Sequence, residues 1–231
     1  MTLDEIIDTK YPEYRSGAKA GGKDGCGYFP WYEKHLPKKV DEFMEIGVAM
    51  GISIWMFRDY YESKGNFHAM NYRFDVQNNG VIPMRELQAT GIICHDGLQE
   101  DIEFLNTIKT QFDVIVEDGS HRSDHQAITF KHLFVNNVKS GGLYVLEDLH
   151  CCLGQFWWGD CQGYDNTMLA FFKNWPGVIE KDVINRPMVK ENPIPIVNQF
   201  FTQEEVDFFK TIIKKVYLYS PSIAFIFKNE N

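Results

Sequence analysis

The stretch Phe112-Asp113-Val114-Ile115-Val116-Glu117-Asp118-Gly119-Ser120-His121, followed closely by His125-Gln126, decides how this chain is read. It opens as a short apolar run rich in β-branched residues, which suits a buried strand. It ends abruptly in a carboxylate, a glycine, a hydroxyl and an imidazole. Open α/β sheets bind their ligands beyond the carboxyl ends of their strands. A strand finishing in Asp118-Gly119-Ser120-His121 therefore sets an acid and a base at the mouth of a site. A second run, Gly142-Leu143-Tyr144-Val145-Leu146, ends in Glu147-Asp148-Leu149-His150. Two adjacent strands of this kind would converge the carboxylates of Asp118, Glu147 and Asp148 with at least one histidine. That set suits a hard divalent cation, which prefers oxygen ligands.

Outward from this stretch, β-like and helical runs alternate. Residues 40–48 read as the first core strand. They lead into Glu45-Ile46-Gly47-Val48-Ala49-Met50-Gly51 and an apolar helical stretch over residues 52–61. A strand, a glycine turn and a helix form a nucleotide-binding start, because glycine lets the backbone approach a ligand closely. Residues 67–76 read as a second strand ending near Asp75. An acid about 20 to 25 residues beyond the glycine turn matches the ribose-binding position of nucleotide folds. Residues 92–95 form a third strand before Asp96-Gly97, and residues 100–109 the helix after it. Ser123 is expected to cap the helix that follows residue 117. Lys139-Ser140-Gly141-Gly142 reads as a helix-to-strand turn.

At the N-terminus, residues 3–8 suit a short helix capped by Thr2, and residues 28–36 a helix that Pro37 ends. Residues 167–175 suit another helix. Thr202 is expected to cap a helix running to about residue 215, with Glu205 completing a capping box. Residues 216–219 and 223–227 flank Ser220-Pro221-Ser222 and read as a closing antiparallel hairpin. Cys151 to Tyr164 contains Phe156, Trp157 and Trp158 and suits either a pocket wall or core packing. The whole reads as α/β: a doubly wound, mostly parallel seven-stranded sheet with a C-terminal antiparallel hairpin. Residues 1–36 are a helical and loop segment, a lid or a subunit contact in a homo-oligomer, and residues 37–231 the main domain.

Composition narrows the partners. The 231 residues carry a net charge of −9, which argues against a general nucleic-acid surface. The five cysteines, Cys26, Cys94, Cys151, Cys152 and Cys161, form no CxxC pair, which favours a reducing compartment over a disulfide framework. With no signal-peptide pattern and no membrane-length apolar run, the expectation is a cytoplasmic protein.

The three motifs together, Glu45-Ile46-Gly47-Val48 with Gly51, Asp118-Gly119-Ser120-His121 with His125-Gln126, and residues 141–150, resemble class I S-adenosylmethionine-dependent methyltransferases. Within that class the resemblance is to the metal-dependent sugar O-methyltransferases of macrolide glycosides and the related cephalosporin hydroxylase-type family. The terminal hairpin also separates this sheet from an ordinary dinucleotide fold. The resemblance implies that Glu45, Gly47 and Gly51 line the methionine end of the cofactor, with Asp118 at the same rim. It implies that Asp75 takes the ribose hydroxyls and that Asp96 faces the adenine. Asp118, Glu147 and Asp148 would hold Mg²⁺, and His121 would be the general base toward a small sugar-containing acceptor. Rival readings are a metal-dependent hydroxylase, whose sites generally use two histidines and one carboxylate, and a non-catalytic cofactor-binding subunit. His125 either supports the site or is a core histidine; His150 either meets the acceptor or packs; the Cys151-Cys152 pair reads as incidental.

Overall fold

The structure, a computed structural model, describes residues 1–12, 23, 25–74, 82–152, 167–181, 200–219 and 223–230. The chain divides into two compact units, Met1–Gly97 and Leu98–Asn231.

The first unit holds α1 (Leu3–Lys10), α2 (Phe29–His35), β1 (Glu42–Ile46), α3 (Ile52–Tyr60), β2 (Asn66–Asn71), α4 (Met84–Ala89) and β3 (Ile93–Asp96). Thr2 caps α1 as expected: its Oγ1 accepts from the Glu5 amide, and Glu5 Oε2 accepts from the Thr2 amide. β2 pairs in parallel with both β1 and β3. One face is covered through Phe43, whose ring meets those of Phe57 and Phe67 at 4.9 and 5.6 Å. β2 stops at Asn71, short of the expected end. Arg73 takes a left-handed conformation at φ +58°, and its amide donates to Asp96 Oδ1 at 2.8 Å. Asp75 lies outside the described residues.

Glu42, His68 and His95 share the other face of these strands, one from each. His68 Nε2 lies 2.8 Å from Glu42 Oε2, and His68 Nδ1 lies 2.9 Å from His95 Nε2. Burial lowers the pKa of His68, although Glu42 opposes this. Burial and then the neighbouring His68 lower His95 from 6.5 to about 4. A histidine held neutral in the fold but free to protonate when unfolded stabilises the fold above its unfolded value. That contribution is lost as pH falls from 6.5 toward about 4. The urea midpoint should therefore fall over this interval, and more steeply in the wild type than in His95→Gln. Equal slopes in the two proteins would show that the pair contributes nothing.

The second unit holds α5 (Ile102–Leu105), β4 (Phe112–Glu117), α6 (Ser123–Thr129), β5 (Val138–Leu146), α7 (Met168–Lys173), β6 (Ile179–Lys181), α8 (Gln203–Ile212), β7 (Ile213–Tyr219) and β8 (Ile223–Lys228). β4 and β5 are parallel, whereas β8 runs antiparallel to both β5 and β7. The expected terminal hairpin is thus present. β6, beyond the seven strands expected, lies parallel to β7. Ile223, Ala224, Phe225 and Ile226 are fully buried, which is why this apolar run takes the interior place between β5 and β7.

Several boundaries differ from the expected ones. α5 begins at Ile102 because Asp101 caps it, accepting from the Glu103 and Phe104 amides, and it ends at Leu105, short of the expected residue 109. Arg122, not Ser123, occupies the N-cap of α6. The Ser123 hydroxyl accepts from the Met168 amide instead, linking α6 to α7. Residues 139–142 lie inside β5 rather than in a turn before it. A Cβ on Gly142 would come 2.8 Å from Val138 Cγ1 and 2.9 Å from the Lys139 oxygen, so only glycine fits there. α8 has the expected Thr202–Glu205 capping box but ends at Ile212, where β7 begins directly.

α6 runs on into a π-turn over Phe130–Phe134, around which the aromatic core of this unit is built. The Phe130 ring meets Phe134, Tyr144, Phe172 and Phe209 at 4.9, 5.5, 5.3 and 5.4 Å. Lys228 closes the end of this turn, donating to the carbonyls of Phe134, Val135 and Val138.

Candidate active site

β4 and β5 pair through Glu117 and Leu146, and the Glu147 amide extends the pairing by donating to the Glu117 carbonyl at 2.9 Å. The residues just beyond these ends, Asp118 and Asp148, therefore emerge side by side. With His121 they form a half-buried cluster whose ligand atoms all lie within 4.8 Å of one another. His121 Nε2 is 3.9 Å from Asp118 Oδ1 and 3.9 Å from Asp148 Oδ2. His150 Nδ1 lies 4.0 Å from Asp148 Oδ1. Glu147 is buried, and its carboxylate is not one of the three converging groups. Its carbonyl accepts from Gln126 Nε2 at 3.2 Å, so Gln126 holds backbone.

This geometry is costly to maintain. His121 and Asp148 both lie in the left-handed region, at φ +56° and +53°. For a residue with a Cβ that conformation costs on the order of 1–2 kcal/mol, and it persists only where the surroundings over-determine it. Part of that support comes from Glu117, which is fully buried. Glu117 Oε1 accepts from Gln99 Nε2 at 2.9 Å and from the Gly119 amide at 3.3 Å. Burial pushes its carboxyl up to about 7 against these two bonds. His125 Nδ1 sits 3.0 Å from Ser120 Oγ and 3.4 Å from Glu100 Oε2. It therefore braces the loop rather than joining the cluster. Glu117, Gln99 and Glu100 were not singled out by motif, because a contact across 18 residues leaves no local periodicity.

The glycine turn belongs to the first unit. Gly47, Ala49 and Gly51 have φ of +85°, +39° and +79°. A Cβ on Gly51 would meet Ile82 Cδ1 at 3.0 Å and Leu87 Cδ2 at 3.1 Å, so this turn is closely packed as well as left-handed. Glu45 is buried, with Lys23 Nζ at 2.9 Å from its Oε1 and the Ser53 hydroxyl donating to its Oε2 at 2.9 Å. Asp96 is exposed at the end of β3. Cys151 is buried, and the Trp157-Trp158 segment lies outside the described residues. A groove lined by Ile102, Lys131, Phe208 and Phe209 contains no member of the cluster. No helix among the described residues is long and apolar enough to cross a membrane.

Parallel strands ending in a glycine turn and an acidic cluster, closed by an antiparallel hairpin, give the fold of the class I methyltransferases. The methyltransferase of Podospora anserina, solved with S-adenosylhomocysteine bound, superposes with a TM-score of 0.51 at 15% identity, over 99% of this chain and 86% of that one. No family model matches the chain. It is similar, at 29% identity over 156 residues, to 8-demethyl-8-(2-methoxy-alpha-L-rhamnosyl)-tetracenomycin-C 3'-O-methyltransferase of Streptomyces olivaceus, covering 62% of this chain and 35% of that protein. L-olivosyl-oleandolide 3-O-methyltransferase of Streptomyces antibioticus is 40% identical over 130 residues, 51% of this chain and 31% of that protein. Mycinamicin VI 2''-O-methyltransferase of Micromonospora griseorubida is 27% identical over 170 residues, 64% of this chain and 39% of that protein. The matches thus span between 31% and 39% of the length of these relatives. The resemblance read from the motifs points to this same group of enzymes.

Proposed function

We propose that this chain transfers a methyl group from S-adenosylmethionine to a sugar hydroxyl of a small glycosylated acceptor, with Mg²⁺ as its metal. The observation that carries the reading is the convergence of Asp118, His121 and Asp148 at the ends of two parallel strands. Similarity to sugar-directed O-methyltransferases supports it. Asp118, Asp148 and the neighbouring Glu147 are the carboxylates proposed to hold the ion. Carboxylate oxygens suit a hard divalent cation, whereas non-haem iron sites generally use two histidines and one carboxylate; His121 is left as the base. Glu45, Gly47 and Gly51 are proposed at the methionine end of the cofactor, with Asp118 at its rim, Asp75 at the ribose and Asp96 at the adenine.

A sugar hydroxyl is a poor nucleophile at neutral pH, and a bound divalent ion supplies the Lewis acidity that lowers its pKa. The chain's own part is to move one proton and to hold geometry. In its neutral form, with the ring proton on Nδ1, His121 offers Nε2 as the acceptor. Asp118 and Asp148 each have an oxygen 3.9 Å from that nitrogen, so the base and the carboxylates share one rim. Holding methyl donor and acceptor in line and close at this rim would supply the proximity contribution.

The test is calorimetric titration of S-adenosylhomocysteine into the protein, followed by methyl-transfer assays on rhamnosyl and other glycoside acceptors. Binding near micromolar is expected, together with turnover that a chelator abolishes and added Mg²⁺ restores. Absence of cofactor binding would overturn the methyltransferase reading. Turnover indifferent to chelator would remove the metal alone.

A further inference from the structure

We infer that Gln99 is the positioning residue of the Asp118–His121 loop, an amide clamp that sets the loop's geometry without touching substrate. Gln99 is 7% exposed, and both ends of its amide are used. Its Oε1 accepts from the Ser120 amide at 2.6 Å. Its Nε2 donates to Glu117 Oε1 at 2.9 Å and lies 3.3 Å from Thr129 Oγ1. The Thr129 hydroxyl is also 2.9 Å from the Gln99 carbonyl, so α6 fixes the clamp by its backbone as well. The loop is cut to match it. A Cβ on Gly119 would come 2.0 Å from Gln99 Oε1 and 2.9 Å from Gln99 Cδ. Gly119 is thus crowded chiefly by Gln99, with Glu117 Oε1 next at 3.3 Å, and not required by a left-handed backbone. Next to it, Glu100 meets His125, which in turn meets Ser120 Oγ. Two consecutive residues therefore hold the loop by two routes.

The chemistry explains why the residue is glutamine. Ser120 offers an N–H and needs an acceptor; Glu117 offers a carboxylate oxygen and needs a donor. The primary amide of glutamine supplies both, on two separate atoms of one side chain. Glutamate there would set two carboxylates together in a buried place, and alanine would leave a buried N–H and a buried carboxylate each short of a partner. The clamp bears on function because it grips Glu117 and Ser120, and Asp118 directly follows the first and His121 the second. His121 also occupies a left-handed conformation that the loop must enforce. That bearing rests on the metal reading proposed above.

The experiment is Mn²⁺ binding, followed by its paramagnetic resonance signal, in wild type, Gln99→Ala, Gly119→Ala and the double variant. Circular dichroism confirms at each step that the protein is folded. Each single variant should weaken Mn²⁺ by about tenfold or more, the usual effect of removing a group that orients ligands. The double variant should recover part of what Gly119→Ala loses, because removing Gln99 removes the atoms the new methyl would strike. A folded Gln99→Ala with wild-type Mn²⁺ affinity would overturn the clamp, as would strictly additive losses in the double variant. Where Gln99→Ala fails to fold, Gln99→Met, of equal length and no amide, is read against the same outcomes. If the wild type takes up no Mn²⁺, the metal reading falls. Hydrogen exchange at the Ser120 amide then decides the clamp alone: protection lost in Gln99→Ala upholds it, and protection kept overturns it.

Discussion

Asp148→Asn is expected to lower methyl-transfer turnover by about 100-fold or more while leaving S-adenosylhomocysteine binding in place. The choice of asparagine matters. Asp148 sits at φ +53°, and asparagine is among the few residues with a side chain that tolerate this region. The variant therefore keeps shape and backbone and removes only charge. What is lost is one of the two carboxylates that meet His121 Nε2 at 3.9 Å. A metal's contribution to such chemistry is several kcal/mol, and each 1.36 kcal/mol is about tenfold in rate. The same reasoning selects His121→Asn over His121→Ala, since His121 lies at φ +56° and alanine would add strain to the loss of a base. That variant should lose about 100- to 10,000-fold, the range for a general acid or base. It should bind Mn²⁺ more nearly as the wild type does than Asp148→Asn does. If Asp148→Asn turned over at the wild-type rate, the acidic cluster would have no part in the reaction. If His121→Asn alone did so, the base would have to be sought elsewhere, with His150 the nearest candidate at 4.0 Å from Asp148.

How much of this was legible in the chain depends on whether the signal was local. The β4 strand was read to its ends because a β-branched run stops at a polar cluster, and both sides of that boundary lie within ten residues. The Thr2 and Thr202 caps were read because the capping box is a four-residue pattern. β2 ends sooner than its sequence suggests, because Asp96 accepts from the Arg73 amide just beyond it, a contact 23 residues apart. Gly141 and Gly142 suggested a turn, since glycine usually marks one. The actual constraint on Gly142 is crowding by Val138, Lys139 and Asp113, which no composition rule carries. The cluster was legible in its chemistry but not in the setting of each carboxylate. Glu147 and Asp148 are adjacent, and only the folded chain shows that one is buried while the other reaches the rim. Gln99 was invisible for the same reason, as a single polar residue whose partners are all distant in sequence.

Phe130→Ala should cost about 3–5 kcal/mol, the range for emptying a buried aromatic site. That is a large part of the roughly 5–15 kcal/mol that holds a typical domain folded. Phe130 has no exposed surface. Its ring meets Tyr144 of β5, Phe172 of α7 and Phe209 of α8, all between 5.3 and 5.5 Å, so one side chain joins three elements to its own helix. Aromatic pairs at such distances add about 0.5–1.5 kcal/mol beyond burial, and the site cannot collapse easily with rigid rings on every side. Phe130→Leu, which keeps much of the volume, should cost less than half as much. The measurement is the urea midpoint of both variants at constant m. A loss under about 1 kcal/mol for the alanine variant would mean that the rings repack independently. The expected loss reaches the active site, because the helix that Phe130 anchors also carries His125, which braces Ser120, and Gln126, which holds the Glu147 carbonyl. Turnover in Phe130→Ala should therefore fall at temperatures where circular dichroism still shows a folded chain, and Phe130→Leu should restore most of it.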